Sequence, residues 1–528
     1  MAKWFRYVPP GQEALLPADM RSWLPPGHLT WQVTGAVGEL DLSGFTAAYR
    51  ADGQGQAPYD PAMMLALVLY CYFKGIRSTR KIAAACIDDV GCRVICGGAA
   101  PSHQAFAQFL RRHRAEVRRL FVQVLGLLAD AGGVEGHCAA VDGSPVSGNA
   151  SRFANLDGGQ LEARIAALQA AIDAAAKAWL DGAGTADGAR SQQLWDDDDD
   201  DGGPGGGGPG GGGPGGGGPG GGVPRRLAAM AATLARLHAA RDKIAARRQA
   251  ASPRSPDARV AAARDAIANA ERRLAAAEDA HALVMAKYQA AVAAGKPWAG
   301  CKPVAGNVRI AGIRKNLATA QGRLAAAQAA AAAAGPAKVS GTDPDSRLLP
   351  AKNGGGYLQG WNLELATARR QVLLAIELHD NPADYGALTT MIEAAAANCS
   401  LTGLDGQIRA WLADSGYAST ANFAALQHLM LLVATTGEAT QTGRGTGGRP
   451  LPAGWEKMAA RTATPAGKKL YKRRAGLVEP AFAQLFARFG RYVSYRGRDA
   501  VDAEVKLLGA VHNLAKLFEH RRRHPAPA

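Results

Sequence analysis

The sequence predicts an α/β protein with an N-terminal all-helical domain, a sheet-bearing core, and a long helical insertion that interrupts the core. Three observations carry that prediction. Apolar residues recur every three or four positions between Asp60 and Asp130. Short apolar runs at Cys138–Val141 and Ile408–Ala413 are each followed directly by an aspartate. Between these runs the composition turns to alanine, aspartate and glycine, which build helices and tethers but little core.

The outer bounds come from length, charge and cysteine usage. A chain of 528 residues has room for two to four domains. A formal net charge of +16 and a pI near 9.7 suit a polyanionic partner, without separating DNA from RNA. The seven cysteines form no pair of Cys-x-x-Cys units and are scattered and odd in number, so a reduced, intracellular protein is expected rather than a disulfide scaffold. Residues 1–10 lack the apolar core of a signal peptide, and the apolar stretch at 63–73 is too short to span a bilayer.

In chain order, residues 1–55 read as an extended arm followed by a short helix at Val33–Leu40. Asp60–Val90 reads as two helices, with Pro61 in a first turn and Gly75 at the break. A third helix is expected over 102–130, opening on Ser102, with Phe106, Phe109, Leu110, Val117, Leu120 and Phe121 on its apolar face. Arg111, Arg112, Arg114, Arg118 and Arg119 surround that face with positive charge. They suit a DNA groove or backbone, or equally a solvated helix surface.

Cys138–Val141 then reads as a short buried strand that presents Asp142. Gly143, Ser144 and Pro145 are expected to turn the chain and end the strand. An aspartate there is a metal ligand on a rigid support or an ordinary turn residue. From 156 to 340 the chain reads as an insertion. It has an Ala-rich helix at 159–180, an aspartate run at 196–201, Gly/Pro repeats to 222, and Ala-rich helices from Pro224 to Gly295, interrupted near Ser252–Pro256, and again over 313–334. These suit slender helical hairpins that touch DNA or a second protomer, or tolerated bulk. The aspartate run is a solvated linker, since adjacent carboxylates on a loose segment lack fixed ligand geometry.

After Thr342, Trp361–Thr367 and Val372–His379 read as a strand hairpin joined through Ala368–Arg370, followed by an amphipathic helix over 384–397. Ile408–Ala413 repeats the earlier arrangement: an apolar run, then Asp414, then Ser415, Gly416 and Tyr417 as a turn. Two carboxylates at neighbouring strand ends suit a shared divalent metal, and a third would complete a two-metal site. Glu479 is the candidate third. It follows a stretch with five basic residues in the seven positions from Lys468 to Arg474, and Arg488, Arg491, Arg496 and Arg498 come after it. Locally it reads either as a charge-balanced surface residue or as a ligand among phosphate-binding side chains.

These motifs together resemble a bacterial insertion-sequence transposase of the DDE class, over roughly 5–155 and 341–520. The likeness rests on YDPAMMLALVLYCYFKGIRSTRKIA, AVDGSPVSGNAS, TDPDSRLL with GGYLQGWN, LADSGYAS, and YKRRAGLVEPAFAQL followed by YRGRDAVDAEVKLLGAVHNL. It implies an RNase H-like mixed-sheet core, split as 136–155 and 341–520 around the insertion at 156–340, behind an N-terminal helical DNA-binding domain at 1–135 and before a tail at 521–528. It places the catalytic, metal-binding carboxylates on Asp142, Asp414 and Glu479, holding two Mg2+ ions for which Mn2+ can substitute. DNA contacts are expected from Tyr471, Arg473, Arg474, Arg488, Arg491, Arg496, Arg111 and Arg118.

The implied activity is cleavage at the element's terminal inverted repeats and strand transfer into double-stranded target DNA, by at least a homodimer. The implied setting is the bacterial cytoplasm, nucleoid-associated when bound, with no membrane partner. There are two departures from the family: Phe486 stands where a lysine is common, and Ala366 and Thr367 replace a Val-Asp pair. A transposase-derived DNA binder with weak or no catalysis, and a nuclease of the same fold, are the alternatives.

Overall fold

The structure, a computed structural model, describes residues 19–49, 57–180, 225–249, 256–296, 304–334, 338–351, 356–379, 386–435 and 454–525. The aspartate run, the Gly/Pro repeats, most of the N-terminal arm and the end of the tail lie outside the described residues. Those described form two compact units, one drawn from the chain before Ala154 and after Pro344 and the other from within 154–344.

The first unit opens with helices α1 (Leu29–Gly38), α2 (Ser43–Ala47), α3 (Pro61–Phe73), α4 (Thr79–Asp88) and α5 (Val90–Ile95). Asp60 caps α3 by accepting from the amides of Ala62 and Met63, with Pro61 in the first turn. Every residue from Met64 to Tyr72 is buried, as suits a helix that is apolar on all sides and packs centrally. The single helix expected over 102–130 is instead two, α6 (His103–Arg112) and α7 (Arg114–Asp130). His113 causes the break. Its ring packs against Phe45, Tyr49 and Phe109, and its Nε2 lies 3.1 Å from the Tyr49 hydroxyl. Burial pushes this imidazole below its ordinary range. A side chain fixed by three aromatic neighbours sets the local backbone against helix propensity.

The sheet begins with β1 (Cys138–Ser147), and here a second expectation fails. Gly143, Ser144 and Pro145 do not turn: the strand runs through them, paired antiparallel with β5 from Ala140↔Thr367 to Ser147↔Gly360. Pro145 is tolerated because parallel pairing on β1's other side covers only Cys138–Val141. Farther along β1, Ser147 donates to the carbonyl of Arg491 at 3.1 Å.

The second unit follows, with β2 (Asn155–Leu156), α8 (Gly158–Leu180), α9 (Arg225–Gln249), α10 (Pro256–Ala293), α11 (Val308–Ala334) and β3 (Val339–Ser340). α8 packs on α9 and α10 on α11. Leu161, Ile165, Leu237, Ile244 and Val339 make a small core, and β2 pairs antiparallel with β3 to form a neck where the chain enters and leaves.

Back in the first unit come β4 (Arg347–Pro350), β5 (Tyr357–Thr367), β6 (Leu373–His379), α12 (Leu388–Leu401), β7 (Ala410–Ala413), α13 (Thr420–Ala425) and β8 (Met430–Val433). The chain closes with α14 (Trp455–Ala463), α15 (Pro465–Tyr471), α16 (Arg473–Phe489) and α17 (Arg498–Arg523). The strand order is β4-β5-β1-β7-β8, with β6 also on β5. β1, β5 and β6 form an antiparallel set, and β7 and β8 continue parallel to β1. The result is an N-terminal helical region followed by a mixed sheet with helical insertions.

α17 covers the outer edge of β6. The Asn513 side chain donates to the carbonyl of Leu373 at 2.9 Å and accepts from its amide at 3.0 Å, and Lys506 Nζ donates to the carbonyl of Ile376 at 2.7 Å. An edge strand is thereby capped rather than left open to another chain. The buried Arg77–Glu504 pair, at 2.5 Å, ties the start of α4 to α17. Arg77 also donates to the carbonyls of Phe489 and Tyr492.

Candidate active site

The parallel register Val141↔Ala413 puts Asp142 and Asp414 at equivalent next positions on adjacent strands. Such strands lie about 4.8 Å apart, and equivalent positions face the same side of the sheet. Each aspartate spends one oxygen on fixing itself. Asp142 Oδ1 accepts from the Gly143 amide at 2.9 Å, and Asp414 Oδ1 accepts from the Gly416 amide at 2.8 Å, capping the 3-10 turn Ser415–Tyr417. Both carboxylates are only part-buried, so both reach solvent from a rigid support.

Two residues from the α15–α16 junction meet this pair. Arg474 Nη1 stands 3.4 Å from Asp142 Oδ2, a loose ion pair with both side chains about four-fifths covered. Tyr471 is half-buried. Burial holds its phenol above the ordinary range, with the charge of Asp414 adding to that effect and Arg474 opposing it. The basic approach read from Lys468–Arg474 thus has two members at the aspartates, while Arg473 is exposed beside them.

Glu479 lies five residues beyond Arg474 on the solvent-exposed side of α16. Among the described residues, no group of three or more His, Cys, Asp or Glu comes together as a metal-holding cluster, so the three expected ligands are not gathered. The aspartate pair offers hard oxygen donors of the kind Mg2+ prefers, directed by amides that fix their orientation. To that extent the residues fit the ion.

The other expected DNA contacts disperse. Arg488 stacks over the Phe73 ring with its guanidinium 5.4 Å from the centroid, fourteen residues and roughly 21 Å of helix from Arg474. A role for Arg488 at the scissile phosphate is therefore not supported by its position. Arg491 lies over the Phe486 ring at 4.4 Å, and Arg496 Nε donates to the carbonyl of Asn149 at 2.8 Å. Arg118 pairs with Asp499 and Asp502 on α17, whereas Arg111 is exposed.

One buried acid escaped the sequence reading. Glu364 on β5 is fully buried and lies across from Gly143, on the sheet face opposite Asp142. It accepts from the Tyr417 hydroxyl at 2.5 Å and from Asn362 Nδ2 at 2.8 Å. It binds the Asp-Ser-Gly-Tyr turn to the central strands, so it supports Asp414 from behind.

The site thus joins two aspartates on adjacent parallel strands of a mixed sheet with a basic helix start beside them. Comparison with known families adds to this. A transposase domain (DUF772) matches residues 18–112, and a transposase DDE domain matches residues 452–518. These two matched domains identify the chain as a DDE-type transposase, a protein of the insertion-sequence kind. No curated protein and no solved structure matches it. Among the described residues no helix is long and apolar enough to cross a membrane.

Proposed function

We propose that this chain cuts DNA at the terminal inverted repeats of its element and joins the freed ends to target DNA, using Asp142, Asp414 and Glu479 on an RNase H-like core. The observation that carries the reading is the register of Asp142 with Asp414, with Arg474 against the first and Tyr471 in the field of the second. The antiparallel β6-β5-β1 set continued by parallel β7 and β8 supports the core assignment.

Asp142 and Asp414 would hold Mg2+ or Mn2+, with Glu479 as the third carboxylate and two ions in the full site. When bound, the metal supplies Lewis-acid activation of the attacking oxygen and stabilisation of the departing 3′ oxygen. The chain's own residues do the rest. Arg474, paired with Asp142, offers a donor to the phosphate on which charge builds, exposed Arg473 adds positive charge beside it, and the Tyr471 hydroxyl orients it. Water attack at phosphorus breaks the P–O3′ bond and leaves a 3′-hydroxyl. That hydroxyl then attacks a phosphate of a second duplex and displaces its 3′ oxygen. Two ends handled together call for a homodimer on DNA, in the bacterial cytoplasm.

The separation of Glu479 from the aspartates favours a second reading, a transposase-derived DNA binder that does not cut. One assay divides the two. Labelled duplexes carrying the inverted repeats that flank the gene are incubated with Mg2+, Mn2+ or EDTA and the parent, Asp142→Ala, Asp414→Ala or Glu479→Ala protein. Metal-dependent cutting at the repeat end, abolished by each substitution while binding persists, is the expected result. Specific binding without cutting in either metal supports the binder, and cutting that survives all three substitutions overturns the carboxylate assignment.

A further inference from the structure

At the far end of α16 from the aspartates is a cavity of about 690 Å3, lined by Phe73, Lys74, Gln484, Arg488, His512, Lys516 and Glu519 among others. Three cations converge there against one carboxylate. Gly75, with φ +76°, makes this convergence possible: a Cβ there would stand 3.0 Å from the carbonyl oxygen of Arg488, so the end of α3 approaches the end of α16 closely.

The charges are unevenly balanced. Lys74 has a partner in Asp89, and Glu519 is engaged by Arg523. Among the described residues, neither Arg488 nor Lys516 has a carboxylate at ion-pair distance. Arg488 is held over Phe73, and Lys516 Nζ reaches only Gln371 Oε1, at 3.5 Å. Burial lowers the pKa of both; at Lys516 the charge of Glu519 counters that lowering, and the charges of Arg488 and Arg523 add to it. Lys74 and Arg488 end helices, where a cation offsets the C-terminal dipole. Lys516 sits in mid-helix and has no such role. His512 does not add to the charge, since burial drives its pKa to about 4 and its Nε2 bonds the carbonyl of Gln371. Two half-buried cations without an ion-paired carboxylate, beside a Glu519 already engaged by Arg523, face an open cavity and are arranged for an anion.

We propose that this cavity is a second anion site, separate from the carboxylates, which takes a phosphate group between Arg488 and Lys516. The group comes either from a duplex backbone or from a small phosphate compound, and the chemistry of capture is the same. The site does not depend on whether Asp142, Asp414 and Glu479 catalyse cleavage.

The test is calorimetric titration of the full chain with inorganic pyrophosphate. Saturable binding at one site is expected, weakened at least about ten-fold in Arg488→Gln and in Lys516→Gln, restored in Lys516→Arg, and unchanged in Lys315→Gln, a neutralised exposed lysine of α11. Thermal melts establish that each variant folds. A duplex of random sequence is then titrated at several salt concentrations. If Arg488→Gln and Lys516→Gln each lower the salt slope by about one, the backbone is the source. If duplex binding is untouched while pyrophosphate binding falls, the source is a small phosphate compound. Absence of saturable pyrophosphate binding to the folded parent, or equal binding by the Gln variants, overturns the proposal.

Discussion

Gly143 has no room for a side chain. A Cβ there would meet Glu364 Oε1 at 2.5 Å, and that carboxylate is fully buried and bonded to Tyr417 and Asn362. Gly143→Ala must displace Glu364 or bend β1, so we expect a loss of about 1–3 kcal/mol by overpacking, read in urea unfolding. The loss should not add to that of Glu364→Ala. In the double variant the acid that meets the new methyl is gone, and a coupling of more than about 0.5 kcal/mol is expected. Simple additivity would mean that the close approach is not what makes glycine necessary. The same residues show where the sequence stops being informative. Alternation in Trp361–Thr367 assigns Leu363 and Leu365 to one face and Asn362 and Glu364 to the other, which for a half-buried strand means water. β5 is covered on both faces, so the polar side became interior. Its partner Tyr417 is 53 positions away, beyond the reach of any local pattern. Asp414 was legible because its turn is local; Asp142 was legible as a residue but misread in its surroundings, since Gly-Ser-Pro has turn chemistry and only β5 shows that it is strand.

At the scale of elements, α17 acts as a cap along β6, and one of its residues makes that cap sensitive to pH. His512 donates from Nε2 to the carbonyl of Gln371 at 2.7 Å, taking the tautomer that this contact requires. In the unfolded chain its imidazole takes a proton near pH 6.5, while in the folded chain burial delays this to about pH 4. Between those values the unfolded state binds more protons, so the contribution is complete above pH 6.5 and is lost as the pH falls toward 4. We expect roughly 3 kcal/mol over that window. His512→Gln, neutral and able to donate to the same carbonyl, should flatten this part of the curve of unfolding free energy against pH. An unchanged slope would show that other groups set it. Asn513→Ala tests the cap itself. It leaves the amide and carbonyl of Leu373 unpaired in a buried place, at a cost of about 2–4 kcal/mol. Hydrogen exchange at Leu373 should quicken before exchange in β1 does. The helices of this region follow from apolar spacing alone. The break at His113 does not, because it depends on aromatic rings supplied by α2 and α6 and by Tyr49.

For the molecule as a whole, the insertion is the part most clearly written in the sequence. Alanine forms helix without filling space, so a long Ala-rich stretch between apolar motifs marks a body with its own slight core. The neck shows how such a body is attached. Asn155 pairs with Ser340 and Leu156 with Val339, and the Gly341 amide donates to the carbonyl of Ala154 at 2.9 Å, so the outgoing and returning chains lie side by side. Residues 157–338 can therefore be replaced by Asn-Gly, which closes a two-residue hairpin between paired strands. We expect the shortened protein to fold with a melting temperature within a few degrees of the parent's first unit, since that unit's core draws no residue from the insertion. Cutting of repeat-end duplexes should persist if the site lies wholly on β1, β7 and α16. Duplex binding then separates the open roles of the insertion. A salt slope equal to the parent's assigns the helices no phosphate contact, and a reduced slope counts the contacts they make. Failure to fold would mean that the neck alone does not hold the two halves of the sheet together, and that the insertion is part of the core's architecture.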